Sequence, residues 1–160
     1  MIQEISVSPD GTEHLLPLEE DYAREYARMQ TLVAEAKTNG QEIVVVMGVG
    51  FVGAVMAAIV ADTVNEDGRP SKFVIGMQRP SVRSYWKIAI LNKGISPVKA
   101  EDPEVELLIK RCVLEKKTLT ATFTHDVLSL ADVVIVDVQL DYLNRNRGSI
   151  EIGDVVSYVA

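Results

Sequence analysis

The sequence has few of the features that mark secreted or membrane-spanning proteins. One cysteine in 160 residues excludes a disulfide within the chain. Its apolar runs fall well short of the roughly 20 residues that a membrane helix needs. The opening segment, MIQEISVSPDGTEH, has acids and a proline where a signal peptide would have a basic and then an apolar segment. We therefore expect a cytoplasmic protein with no membrane partner.

Positive charge is scarce as well. Lysine and arginine together number 16 against 23 acids, which gives a formal net charge of -7. A protein that grips a phosphate backbone needs a basic face, so we expect no nucleic-acid partner. What is present, 48% hydrophobic and 24% charged residues, is typical of one globular domain with a substantial core.

Residues 1–40 are predicted to form an amino-terminal extension with one amphipathic helix. Apolar residues recur at steps of three and four between Leu18 and Lys37, Pro17 suits a helix start, and Asn39-Gly40 suits its end. Such a helix covers an apolar surface, either on its own domain or on a second subunit. The residues before it are expected to be flexible.

From residue 41 to residue 160 the pattern alternates between apolar strands and helical stretches. The candidate strands are EIVVVM, KFVIGM, LTAT and VVIVDV. Strands that are apolar throughout, rich in β-branched residues and separated by helices indicate a parallel sheet covered on both faces. We predict an α/β fold of the doubly wound, Rossmann type, with helices on both faces and the extra amino-terminal helix.

A glycine-rich turn links the first of these strands to the following helix, in the segment IVVVMGVGFVGAVMAA. Gly48, Gly50 and Gly53 have the G-x-G-x-x-G spacing in a strand-turn-helix context. The first glycine permits a tight turn, the second lets a pyrophosphate approach the backbone, and the third lets helix and strand pack closely. This favours a dinucleotide over glycines that serve packing alone, and over the adenosyl cofactor of a methyltransferase, which has no pyrophosphate.

The end of the second strand bears on which dinucleotide would bind. An acid at this position accepts hydrogen bonds from the ribose hydroxyls of NAD and repels a 2′-phosphate. This chain has Gln78 there, followed by Arg79 and Arg83. An amide can still bond the hydroxyls, and an arginine can pair with a 2′-phosphate. NADP therefore stays open beside NAD, as does a role for both arginines as plain surface residues.

Other residues that could carry chemistry have simpler interpretations. Cys112 lies near the apolar face of a predicted helix, as a buried structural thiol would. His14 and His125 are interpreted as surface or capping residues, and no His/Cys/Asp spacing suggests a metal. Asp137 is either a buried acid near the cofactor or a solvent-facing carboxylate. The stretch 140–154 is either a ligand loop or a solvated connection.

The order of segments resembles the amino-terminal domain of the UDP-glucose/GDP-mannose dehydrogenase family, the nucleotide-sugar dehydrogenases. Four segments agree in order over about residues 42–160: VVVMGVGFVGAVMA, VRSYWKIAILNKGISPVKAEDPEVELLI, LTATFTHDVLSLADVVIVDV and IGDVVSYV. The resemblance implies oxidation of the C6 alcohol of a UDP-sugar to a carboxylate, in two hydride transfers to NAD.

The resemblance also implies where the cofactor would be held. The family's V-x-T-P cluster falls on the stretch from Val138 to Asp141, where only the valine matches, so the nicotinamide side would be held differently. The implied contacts, together with the neighbouring Arg79, are Gly48, Val49, Gly50, Phe51, Val52, Gly53, Gln78, Arg79, Arg83, Val138, Gln139 and Leu140.

The family's nucleophilic cysteine, its lysine and its substrate-binding segments lie in later domains, and Cys112 falls in the wrong region to be that thiol. We therefore predict no catalytic residue in this chain, no turnover by it alone, and a full-length homodimer that binds a UDP-sugar. Two other functions stay open: a dinucleotide-binding module that senses without catalysing, and another NAD(P) enzyme such as a hydroxyacid dehydrogenase.

Overall fold

The computed structural model describes residues 3–138. The predicted cofactor contacts at Gln139 and Leu140, the candidate ligand loop at 140–154 and the helix start after it lie outside the described residues. The remaining predicted contacts, from Gly48 to Val138, fall within them.

The chain begins with a hairpin, where the sequence predicted a flexible segment. Strand β1 (Ile5–Val7) pairs antiparallel with β2 (Glu13–Leu15). Its tight connection is held by Ser8 and Asp10, and Gly11 has a φ of 86°. Both strands have only three residues, too few for period-two alternation to stand out, which explains why the prediction was wrong.

Helix α1 (Glu19–Thr38) follows and covers one face of the main sheet. Asp21 accepts a hydrogen bond from the Leu18 amide at 2.9 Å, and acids fill the first turn, where the helix dipole favours them. Gly40, with a φ of 75°, ends the segment. The buried side chains of the helix, Met29, Val33 and Ala36, join a core with apolar side chains of the sheet. The helix therefore docks on its own domain.

Within residues 3–138 the main sheet has four parallel strands. In chain order they are β3 (Glu42–Met47), β4 (Lys72–Met77), β5 (Leu119–Thr122) and β6 (Val133–Val136), and their order across the sheet is β5-β4-β3-β6. The central strands β3 and β4 pair over their full length and are almost wholly buried. The sheet places the carboxyl ends of β3, β4 and β6 side by side, which creates the edge where the glycine turn lies.

The other face is covered by the helices that connect the first three strands. They are α2 (Phe51–Ala61), α3 (Tyr85–Leu91) and α4 (Glu104–Lys110), the last continuing as a π-helical turn over Arg111–Glu115. A 3₁₀ helix (His125–Leu130) joins β5 to β6 on the α1 side. Parallel strands between two helical layers confirm the predicted α/β, Rossmann-type fold.

Candidate dinucleotide-binding site

The glycine turn is fixed by the ends of three strands. It connects Met47, the last residue of β3, to Phe51, the first residue of α2. The Gly48 amide donates to the Met77 carbonyl of β4 at 2.8 Å, and the Asp137 amide, just after β6, donates to the Met47 carbonyl at 2.9 Å. The turn is therefore held in a fixed position at the carboxyl edge of the sheet.

Two of the three glycines are required by packing. Gly48 has a φ of 99°, and a β-carbon there would lie 1.9 Å from the Asp137 carbonyl oxygen. At Gly53 a β-carbon would lie 1.9 Å from the Gly48 carbonyl oxygen. Neither approach is sterically tolerable, so the turn and the first turn of α2 pack backbone against backbone.

Gly50 differs from both. Its φ of -79° and ψ of -159° are open to any residue, and a β-carbon there would meet no atom within 4 Å. The described part of the chain therefore gives no steric reason for this glycine beyond the general preference for glycine over alanine at an N-cap. A ligand that must approach the backbone closely would supply one.

The start of α2 offers backbone donors to such a ligand. The first amides of an α-helix have no partner within the helix, and the residue before α2, Gly50, has no side chain to cap them. The positive end of the helix dipole adds to the attraction for an anion. The first two residues of the helix, Phe51 and Val52, are 66% and 52% exposed, so this end of α2 lies at the surface of the described residues.

Val49 anchors the turn rather than facing a ligand. Its side chain is buried, and a β-carbon at Gly76 in β4 would lie 2.6 Å from its Cγ1 atom. Gly76 thus makes room for Val49, a role that the sequence analysis missed. A glycine inside an otherwise apolar strand was the available signal, since such glycines often mark a close approach.

Gln78 links the turn to the end of β4. Its backbone amide donates to the Thr122 carbonyl at 3.0 Å, and its side-chain Oε1 accepts from the Val49 amide at 3.1 Å. A residue predicted to meet the cofactor ribose therefore also holds the glycine turn. The Nε2 group makes no hydrogen bond to the residues that the structure describes.

Arg79 and Arg83 lie in the loop between β4 and α3. Their carbonyls accept hydrogen bonds from Ser84 Oγ at 3.1 Å and from Trp86 Nε1 at 2.9 Å. Both residues are exposed, and neither forms an ion pair within residues 3–138. The loop backbone is ordered by these bonds while two guanidinium groups face solvent.

On the β6 side, Asp137 and Val138 are half-buried. The Asp137 Oδ2 atom would lie 2.8 Å from a β-carbon at Gly53, so this carboxylate borders the start of α2. The Val138 side chain packs against the core that α1 covers.

The remaining candidates lie apart from the turn. His14 belongs to β2, and its Nε2 atom is buried without a partner among the described residues. His125 is the first residue of the 3₁₀ helix, which Thr124 caps by accepting a hydrogen bond from the Asp126 amide at 3.3 Å.

Cys112 is fully buried, and burial raises the pKa of its thiol to about 11. The thiol is therefore protonated near neutral pH, as a structural cysteine is.

A cluster of charges lies at the other end of α2. Asp62, which caps the helix, accepts two hydrogen bonds from Arg111, at 3.0 and 2.8 Å, and pairs with Lys116 at 2.8 Å. The bonds from Arg111 hold the pKa of the Asp62 carboxyl well below its usual range. Lys116 also donates to the Asp62 carbonyl at 2.9 Å. Asp62 is therefore the centre of a local charge cluster that fastens α2 to the π-helical turn.

Across residues 3–138, no group of three or more His, Cys, Asp or Glu side chains is placed to hold a metal ion. Within the same range, no helix combines the length and the apolar character needed to cross a bilayer.

The fold and the turn define a class. A parallel sheet of Rossmann type, a glycine turn at its carboxyl edge and a helix that begins at that turn make a dehydrogenase-like dinucleotide-binding domain. The residues present fit the pyrophosphate of such a cofactor, because the position of Gly50 is open and the first amides of α2 have no side-chain cap.

Comparison with solved structures gives a more particular likeness. The chain is similar to the NDP-N-acetyl-D-galactosaminuronic acid dehydrogenase from Methanosarcina mazei Go1, with 28% identity over 82% of this chain and a TM-score of 0.61. It spans about a quarter, 26%, of that dehydrogenase. No family model and no curated protein matches the chain.

Proposed function

We propose that this chain is the cofactor-binding part of a nucleotide-sugar dehydrogenase, which oxidises the C6 alcohol of a UDP-sugar to a carboxylate in two hydride transfers. The observation that carries the proposal is the open position of Gly50 between two glycines that packing requires. The likeness to a solved sugar-nucleotide dehydrogenase supports the choice of substrate class.

The chain's own residues would bind and position the cofactor. The first amides of α2 would donate to the pyrophosphate, and Gln78 would hold the turn through Val49 while presenting its amide nitrogen to the ribose. The bound nicotinamide would supply the hydride acceptor.

The catalytic cysteine that this reaction requires is not Cys112, whose thiol is buried and protonated. That cysteine, the sugar site and a homodimer interface would belong to the full-length protein.

Two measurements test the proposal. Calorimetry of the 160-residue chain with NAD⁺ and NADP⁺ should detect a single site for at least one of them. The full-length gene product should then reduce its dinucleotide when given a UDP-sugar, with two equivalents reduced per sugar oxidised. Reduction with a small 2-hydroxy acid in place of the sugar would identify a hydroxyacid dehydrogenase, and binding without turnover on either substrate would identify a sensing module. Either result would contradict the proposed reaction.

A further inference from the structure

At the end of β4 the described residues offer the two N–H donors of Gln78 Nε2 and two exposed arginines, while the Gln78 side-chain oxygen is engaged by the Val49 amide. From this we infer that the site selects a dinucleotide with a phosphate on the adenosine 2′-oxygen, of the NADP kind, over NAD. The inference rests on the proposed function, because it concerns one end of the same cofactor.

The Gln78 side chain turns its acceptor end toward the glycine turn and its donor end away from it. A backbone N–H is a donor, so the atom that faces the Val49 amide at 3.1 Å must be the side-chain oxygen. The turn thus uses the acceptor end of the amide, and the Nε2 group, with two N–H bonds, is left to meet the ligand. A carboxylate at this position would offer a second acceptor oxygen to the ribose hydroxyls, whereas this amide offers donors, which suit a phosphate.

The loop that follows Gln78 carries two positive charges. Arg79 and Arg83 are the charged residues nearest to Gln78 along the loop, and the described residues contain no acid paired with either. A guanidinium group binds a phosphate through paired N–H donors. In a chain with a net charge of -7, a further dianionic phosphate needs such local positive charge to offset the overall repulsion.

Hydrogen bonds within the described residues restrict the backbone of this loop. The Ser84 Oγ and Trp86 Nε1 bonds hold the carbonyls of Arg79 and Arg83, and Ser81 and Ser84 bond each other through their hydroxyls at 2.7 Å. The backbone at both arginines is therefore ordered without a ligand, so only the side chains lose freedom on binding. This lowers the entropic cost of forming a phosphate contact.

The test compares ligands that differ only in the 2′-phosphate. We expect the wild-type chain to bind NADP⁺ at least tenfold more tightly than NAD⁺, and 2′,5′-ADP at least tenfold more tightly than 5′-ADP. The second pair lacks nicotinamide and so isolates the adenosine end. Equal affinities within either pair, or a preference for NAD⁺, would overturn the inference and leave the proposed function standing. Binding of neither dinucleotide would overturn both.

Variants locate the effect. Gln78→Glu should reverse the preference toward NAD⁺, since a carboxylate repels the phosphate while still accepting from Val49. Arg83→Ala and Arg79→Ala together should weaken NADP⁺ binding at least fivefold more than NAD⁺ binding. Arg69→Ala is the matched control, because it removes an exposed arginine from the loop that precedes β4, at the opposite edge of the sheet. Loss of NADP⁺ preference in the control, or its retention in both test variants, would contradict the assignment.

Discussion

The two ends of α2 differ in how their polar groups are used. At the carboxyl end, Asp62, Arg111 and Lys116 bond one another. At the amino end, the first amides have no side-chain cap, and the nearby Arg79 and Arg83 form no ion pair among the described residues. Charges that satisfy one another stabilise a fold, whereas ordered donors without partners indicate a ligand. We therefore expect the carboxyl end of α2 to contribute to the stability of the fold and its amino end to bind the dinucleotide.

The largest effect on stability is expected from Gly53→Ala. Its new β-carbon would lie 1.9 Å from the Gly48 carbonyl oxygen, a backbone atom that cannot move aside as a side chain could, and 2.8 Å from Asp137 Oδ2. We expect the free energy of unfolding to fall by about 3 kcal/mol or more, as for severe overpacking. Urea unfolding followed by circular dichroism measures this. A loss below about 1 kcal/mol would show that the turn is more adaptable than its packing indicates.

At the opposite end of α2, the thiol of Cys112 should be almost inert in the folded chain. It is fully buried and its pKa is raised to about 11, so both access and thiolate formation oppose reaction. Labelling with a thiol-specific disulfide reagent at neutral pH should be at least about 100-fold slower than in the urea-unfolded chain. Comparable rates in the folded and unfolded chains would contradict a structural thiol.

Asp62→Asn should lower stability without changing dinucleotide affinity. The carboxylate is partly exposed, so its loss of charge-assisted bonds should cost about 1–2 kcal/mol at pH 7. Glu66→Gln, a change in the exposed loop after α2, is the control and should be near neutral. An equal loss in both variants, or a loss of nucleotide binding in Asp62→Asn, would remove the distinction between the two ends of the helix.

The same variant gives a smaller, pH-dependent effect. The folded-state pKa of Asp62 is below its unfolded value of 3.8, so its stabilisation is complete above that value and is lost as the pH falls further. The stability difference between wild type and Asp62→Asn should therefore be constant near neutral pH and shrink below about pH 4. Urea midpoints measured across this range check the sign. A difference that grows toward low pH would contradict it.

The sequence was sufficient for the strands of the sheet and for the glycine turn between β3 and α2. The strands at Glu42–Met47, Lys72–Met77 and Leu119–Thr122 match the predicted segments residue for residue. Each is a continuous apolar or β-branched run between clear breaks, a pattern that local chemistry sets. The fold prediction is confirmed for the same reason.

What the sequence did not predict depends on contacts between distant segments. The Gln78 side chain accepts a hydrogen bond from the Val49 amide, and Gly76 gives space to the Val49 side chain. Both contacts join the end of β3 to the end of β4. The glycine inside β4 signals that something approaches closely, but no local pattern identifies the partner. Likewise, spacing alone treats Gly48, Gly50 and Gly53 alike, while among the described residues Gly48 and Gly53 have close packing neighbours and Gly50 has none. The predicted cofactor contacts themselves stay predictions.

The central claim is that residue 50 is glycine because a dinucleotide must approach the backbone there. Gly50→Ala tests this claim most directly. Its reciprocal control is Gly68→Ala, at a glycine with a φ of 76° in the loop after α2, where only stability should suffer, by about 1 kcal/mol. Calorimetry with NAD⁺ and NADP⁺ and thermal unfolding are measured on both variants. We predict that Gly50→Ala stays folded, with a stability loss of no more than about 1 kcal/mol from the poorer N-cap, and loses dinucleotide affinity at least tenfold. Unchanged affinity in a stably folded Gly50→Ala chain would contradict the account.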